Sequence, residues 1–312
     1  MKIVRCLKSL SQRYPYPVLT IGAFDGIHLG HQAIIRRVRE RAREKRGTSM
    51  LFTFSDHPLR ALDPGHAPLL LTPPEIKQEI LREMGLDLLI WVPFSQEVSE
   101  MEPRAFVEEM LVRTLGIKEI WVGFDFAFGR NRRGDICLMQ ELGRELNFLV
   151  EVIPPVALQG RMISSTLIRN LLGTGKVAEA SLLLGRPYMI RGVVVKGRGQ
   201  GKELGFPTAN LKPPKDFLLP DGVYAGWANQ GGQVYQVAIN VGRTPTFPDR
   251  DRRIEVHFLG FEGDLYRRQI EIHFLERVRE ERQFPNQAEL AQAIREDAAQ
   301  VAQLLSGHAQ SG

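Results

Sequence analysis

The 312-residue sequence contains no apolar run near the roughly 18 residues that a membrane helix needs, so no membrane span is expected. It has only two cysteines, Cys6 and Cys137, with neither a pair spacing nor a metal-ligand spacing. A disulfide framework and a CxxC zinc site are thereby excluded, and a reducing compartment is the simpler setting. The first residues carry Lys2, Arg5 and Lys8 without the apolar stretch of a secretory signal. A soluble cytoplasmic protein is expected. Internal repeats and low-complexity tracts are also lacking, as is the interleaving of aromatic and basic residues that grips single-stranded nucleic acid. Acidic residues are scarce in one place: residues 1–50 hold 11 Lys/Arg against 3 Asp/Glu, whereas the other 262 hold 30 against 33. That basic excess, mostly Arg36 to Arg46, suits either a nucleic-acid surface or a solvated helix face near an anionic small substrate.

What is present divides into two halves. A chain of this length is long for one core and comfortable for two. Up to about residue 185, apolar strand candidates (18–22, 50–54, 86–92, 119–123, 148–153) alternate with helical patterns (32–45, 74–84, 103–115, 135–146). Continuous apolar strands between helices predict a parallel sheet covered on both faces, with ligands at the carboxyl ends of its strands. From 186 onward, short strands rich in Val, Ile, Tyr and Phe (188–195, 222–229, 234–241, 254–260, 269–274) predict an antiparallel barrel or sandwich. A final helix over 287–305 follows. The expected domains are 1–185 and 186–312.

The first predicted strand runs into Gly22-Ala23-Phe24-Asp25-Gly26-Ile27-His28-Leu29-Gly30-His31. A strand, a glycine-rich turn and a helix start can hold an anion on backbone amides and the helix dipole. His28 and His31 enter beside such a phosphate, and each imidazole can donate a hydrogen bond as charge builds. The bland alternative is a turn residue and a helix start. Zinc is excluded by the lack of nearby third and fourth ligands.

Further segments fall at the same sheet edge or add phosphate-binding groups. Thr53-Phe54-Ser55-Asp56-His57-Pro58 ends the second strand, and Gly123-Phe124-Asp125-Phe126-Ala127-Phe128-Gly129 follows a later one. Ser164-Ser165-Thr166-Leu167-Ile168-Arg169 opens a short helix; Ser165 or Thr166 can serve as its N-cap, and the hydroxyls with Arg169 can clamp a diphosphate. In the second half, Gly197, Gly199, Gly201 and Gly205 punctuate a loop that leads into Pro207-Thr208-Ala209-Asn210. A Walker loop fails because Glu203 follows Lys202, which leaves a flexible hairpin as the simplest reading of the glycines. Thr208 and Asn210, two apart in an extended segment, share a side and can offer oxygens to Mg²⁺.

GAFDGIHLGH, TFSDHP, GFDFAFG and ISSTLIR resemble, in order and spacing, the motifs of bacterial bifunctional riboflavin kinase/FMN adenylyltransferases, also called FAD synthetases. GFPTAN, PDGVY, NVGRTPTF and IEVH resemble that family's kinase module. The resemblance implies an α/β plus β protein: a Rossmann-like nucleotidyltransferase domain, then a six-stranded antiparallel Greek-key barrel with a terminal helix. It implies phosphorylation of riboflavin by ATP to FMN, and adenylylation of FMN by ATP to FAD and pyrophosphate. His28 and His31 are then catalytic. Gly22, Phe24, Asp25, Gly26, Gly30, Ser164, Ser165, Thr166 and Arg169 bind nucleotide phosphates, and His57 and Asp125 lie near flavin. In the kinase half Gly197, Gly199, Gly201 and Gly205 line the nucleotide, Thr208 and Asn210 hold Mg²⁺, and Glu255 is the base. Expected partners are riboflavin, FMN and ATP, with no nucleic acid and no membrane, on a monomer or weak homo-oligomer. Two positions depart from the usual pattern: Ala23 stands where Asn is frequent, and Ser55-Asp56 replaces Glu-Pro. The competing readings are a chain with one active site beside a flavin-binding module, and a basic nucleic-acid binder.

Overall fold

The computed structural model describes residues 1–7, 13–56, 58–63, 65–197, 201, 205–243 and 252–306. His57, Gly199 and the 244–247 end of the NVGRTPTF motif lie outside the described residues. The chain divides into two compact units, Met1–Ser165 and Thr166–Gly312.

In the first unit, strands β1 (Lys2–Val4), β2 (Pro17–Ile21), β3 (Thr48–Phe54), β4 (Leu88–Val92), β5 (Glu119–Gly123) and β6 (Leu149–Ile153) form one sheet. Its order is β1-β4-β3-β2-β5-β6, and every pairing is parallel. Residues of β2, β3 and β4 are buried almost without interruption, because helices cover both faces. Met50 and Phe52 enter one core with Leu19, Ile21, Leu88 and Ile90; Leu51 enters the other with Leu89, Trp91 and Ile35. The helices are α1 (Leu29–Glu44), α2 (Pro58–Leu62), α3 (Pro74–Glu83), α4 (Gln96–Ser99), α5 (Pro103–Ala105) and α6 (Ile136–Leu146). The single helix expected over 103–115 instead continues from α5 into a wide-turned π-helix, Phe106–Thr114.

From β2 the chain builds outward through β3 and β4, then returns across to β5 and β6. The order therefore reverses between β2 and β5, and a crevice opens at their carboxyl ends. Both the 22–31 segment and the 123–129 segment leave the sheet there.

The arginines of α1 do not stand bare. Arg37 pairs with Glu40 and Glu44, Arg39 donates to the Gly85 carbonyl, and Arg41 bonds the fully buried Glu119 carboxylate at 2.9 and 3.0 Å. Much of the basic run is thus spent on neighbouring acids and carbonyls.

In the second unit, α7 (Ser165–Gly173) and α8 (Val177–Leu184) lead into β9 (Tyr188–Val195), β10 (Thr208–Leu211), β11 (Gly222–Gln230), β12 (Gln233–Arg243), β13 (Arg252–Phe258) and β14 (Gln269–Arg279). A small ribbon, β7 (Ala157–Leu158) with β8 (Arg161–Met162), precedes them. The six long strands close a barrel in the order β10-β13-β12-β11-β14-β9, antiparallel throughout. Of the two alternatives left by strand periodicity, barrel and sandwich, the barrel is observed. The units divide earlier than the expected 185/186 boundary, because α8 packs against β9 and β14 of the barrel. Helix α9 (Gln287–Ser306) sets Val301 and Leu305 on Ala225, and the Arg279–Asp297 pair at 2.7 and 2.8 Å pins it.

Candidate functional site

The turn after β2 holds two residues in a conformation that L side chains seldom take. Phe24 has φ of 47° and the β-branched Ile27 has φ of 40°. Such backbone persists only where the surroundings over-determine it. Here both side chains are anchors, Phe24 at 3% exposure and Ile27 at 0%. The Gly22 amide donates to the Phe52 carbonyl at 3.1 Å, and Gly26 (φ 88°) lets the chain reverse between the anchors.

The reversal leaves His28 extended (φ −69°, ψ 171°) as the N-cap of α1, its Nδ1 accepting the His31 amide at 3.3 Å. The His28 and His31 rings stack at 3.6 Å with 17° between planes, and Phe24 leans on His31 at 5.0 Å. A neutral His28 that accepts on Nδ1 carries its proton on Nε2, so Nε2 is the atom that can donate. Gly30 closes the packing: a Cβ there would lie 3.2 Å from two atoms of the His28 ring.

Asp25 is buried, and its carboxylate accepts the amides of Leu71 (3.0 and 3.1 Å) and Thr72 (3.3 Å). The Asp25 carbonyl accepts the Ser165 hydroxyl at 2.9 Å. Ser165 is the first residue of α7, so its hydroxyl ties the helix start to the turn rather than capping the helix. Ser164 precedes it in the first unit, whereas Thr166 and Arg169 belong to the second. Asp125 and Phe124 are exposed at the tip of the loop after β5.

A residue that sequence reasoning missed sits behind the turn. Lys77 of α3 is 6% exposed; its ammonium donates to the Ala23 carbonyl at 2.5 Å and the Thr53 hydroxyl at 3.1 Å, and lies 5.1 Å over the Trp91 ring. Burial pulls its pKa down to about 8, against the favourable field of Asp25. A small open pocket is lined here by Ala23, Asp25, Ser55, Asp56, Thr72 and Lys77, among others. Both positions that depart from the family's usual motifs, Ala23 and Ser55-Asp56, therefore face one cavity. One sequence signal bears on Lys77: it lies three and four residues before Ile80 and Leu81, on their helical stripe, although its partners are not local.

In the barrel, Ile254, Val256 and Phe258 point inward, which turns Glu255 and His257 to the outer face. Glu255 stands in register between Asn210 of β10 and Asn240 of β12, and His257 stands opposite Thr208. The four-residue set Thr208, Asn210, Glu255 and Asn240 thus shares one face, and Asn240 was not singled out from the sequence. Gly197 and Gly201, after β9, lie close to residues of β10 and its entry. A Cβ on Gly197 would come within 2.3 Å of the Asn210 side-chain amide, so any other residue there must displace Asn210. A Cβ on Gly201 would meet the Phe206 carbonyl oxygen, with the Thr208 hydroxyl at 3.2 Å, and Gly205 has φ of 85°. His257 Nδ1 meets the Pro207 carbonyl at 3.0 Å, fixing the PTAN entry. Arg279 is engaged by Asp297, and Arg277 donates to the Asp221 carbonyl at 2.9 Å. Among the described residues no group of three His, Cys, Asp or Glu side chains is placed to hold a metal ion. Among them, too, no helix is long and apolar enough to cross a membrane.

Comparison with known proteins agrees with both halves. The family model described as FAD synthetase matches residues 11–167, and that described as riboflavin kinase matches 184–305. A bifunctional riboflavin kinase/FMN adenylyltransferase of Pseudomonas fluorescens is 37% identical over 96% of each chain. The protein of the same description from Escherichia coli (strain K12) is 35% identical over 95% of this chain and 96% of its own. A crystal structure described as a macrolide-efflux protein from Streptococcus pneumoniae superposes with a TM-score of 0.86 at 29% identity, covering 96% of this chain and 97% of that one. With its two histidines at the switch point, its closed barrel, and relatives alike over nearly their whole length, this chain belongs to the bifunctional riboflavin kinase/FMN adenylyltransferase family.

Proposed function

We propose that the two activities of this family run at two separate sites of the chain, adenylyl transfer around His28 and His31 and phosphoryl transfer around Asn210 and Glu255. The observation that carries the first assignment is the stacked histidine pair at the entrance of α1, on the sheet edge where the strand order reverses. At this site an FMN phosphate oxygen attacks the α-phosphorus of ATP, and the bond to pyrophosphate breaks. The attacking phosphate is already ionised near neutral pH, so positioning and charge stabilisation suffice. His28 and His31 donate to phosphate oxygens as charge builds, and the turn from Gly22 to Gly30 holds them. Ser164 and Ser165 carry their hydroxyls at the start of α7, in the first unit.

In the barrel the riboflavin 5′-hydroxyl attacks the γ-phosphorus of ATP and ADP leaves. An alcohol nucleophile gains from a base, and Glu255, beside Asn210 and Asn240 in register, takes its proton. Thr208 and Asn210 supply hydroxyl and amide oxygens, hard donors in a site with few carboxylates, which suits a Mg²⁺ shared with nucleotide phosphates. When bound, that ion offsets phosphate charge. Cys6 and Cys137, both exposed and neither in a disulfide, suit a reducing cytoplasmic setting.

Chromatography of products from riboflavin and Mg-ATP tests the assignment. His28→Ala and His31→Ala are expected to stop at FMN. Asn210→Ala and Glu255→Ala are expected to make no FMN yet convert supplied FMN to FAD. Normal FAD formation in both histidine variants, or full kinase turnover in Glu255→Ala, removes the corresponding residue from the reaction.

A further inference from the structure

We propose that Lys77 is a positioning residue for adenylyl transfer, its buried ammonium setting the His31 ring through the Ala23 carbonyl and Phe24. This inference rests on the histidine site above. The strained Phe24 lies between two clamps. On one side Lys77 and Thr53 both donate to the Ala23 carbonyl, at 2.5 and 3.2 Å. On the other side the Asp25 carboxylate grips the amides of Leu71 and Thr72. A left-handed phenylalanine holds only if both flanks are fixed, and the Phe24 ring is what leans on His31. Lys77 reaches this carbonyl across 54 residues of sequence, from a helix whose Leu81 packs in one core with Phe24 and Ile27. Its charge is near the buried Asp25, and it sits over Trp91, so side-chain bulk alone does not replace it. Misplacing a catalytic group by a fraction of an ångström lowers turnover while leaving substrate affinity intact.

The test uses the full chain with Lys77→Met, Thr53→Val and the double variant, with FAD formation measured from FMN and Mg-ATP. Lys77→Met is expected to lower kcat about tenfold, normalised to folded protein, with KM for FMN and ATP within about twofold. Thr53→Val, which keeps shape, removes the second donor to the Ala23 carbonyl and one acceptor of the Lys77 ammonium, and is expected to lower kcat by about threefold. Because both act on one carbonyl, the double variant should lose less than the product of the single losses. Riboflavin phosphorylation by the same samples is expected to be unchanged, since the kinase set lies in the second unit, and hydrogen exchange of the β2–β5 amides reports that the unit holding Lys77 is folded. The inference is overturned if Lys77→Met and Thr53→Val keep kcat, if the loss appears in KM (Lys77 would then touch substrate), or if the two losses multiply. Should Lys77→Met not fold, Thr53→Val alone decides on the kcat and KM criteria. A dead His28→Ala beside an active Lys77→Met defeats only this inference, whereas an active His28→Ala defeats the site itself.

Discussion

At the scale of single residues, Lys77 has a cost that can be measured. Its ordinary pKa of 10.5 falls to about 8 in the folded chain, chiefly through burial. Between those values the unfolded chain binds more protons than the folded one, so stability rises with pH across that window. Below pH 8 the cost is present in full, at about 3 kcal/mol from 1.36 kcal/mol per unit. Urea unfolding of wild type and Lys77→Met at pH 7.5 and 10.5 checks the sign. Wild type should gain stability relative to the variant by about that amount at the higher pH. An unchanged difference would mean that the ammonium is not held in a charge-hostile place. The sequence concealed this residue for a physical reason. A helical lysine ordinarily extends its head into water, and nothing local reveals that the partner carbonyl comes from the turn after β2. The histidine pair was legible, because a cap, a helix start and flanking glycines are all local in sequence. The Phe24 and Ile27 strain was not, since both residues look like ordinary apolar positions until φ is known.

Elements with two buried faces were the easiest to read. Strands β2 to β5 came out within about two residues of their bounds, because burial on both sides makes the whole run apolar. β1 escaped notice: three residues at a sheet edge give no period. The shared-face polar pair reads as extended, yet the place of β10 in the barrel depends on pairing with β13, which is distant in sequence, as well as with the preceding β9. Of the glycines before β10, Gly197 and Gly201 are in close contact with neighbours, which a count of glycines in the sequence does not reveal. Gly197 is pressed on Asn210, so Gly197→Ala drives a methyl into the amide that faces Glu255. Kinase turnover should fall about tenfold or more, while FAD made from supplied FMN stays at the wild-type rate. A Gly197→Ala enzyme with normal FMN production would show that the loop sits off Asn210 during turnover.

At the scale of the whole molecule, the chain carries two compact units, and each holds its own core and its own set of chemical residues. The histidines and their turn draw on β2, β3 and α3, all before residue 166; Asn210, Asn240 and Glu255 draw only on barrel strands. Sequence periodicity puts the border between the two architectures at the change from helix to strand, whereas α8, before that change, packs on β9 and β14 of the barrel. Such a division makes the product of one half the substrate of the other, and it predicts complementation between molecules. A His28→Ala chain retains the kinase set, and a Glu255→Ala chain retains the adenylyltransferase set. Mixed with riboflavin and Mg-ATP, the two should make FAD although neither does alone. FAD should appear after a lag in which FMN accumulates in solution, and supplied FMN should abolish the lag. If the mixture yields FMN and no FAD, the FMN made by one chain cannot reach the histidine site of another, and the halves depend on each other in a way that their separate cores do not explain.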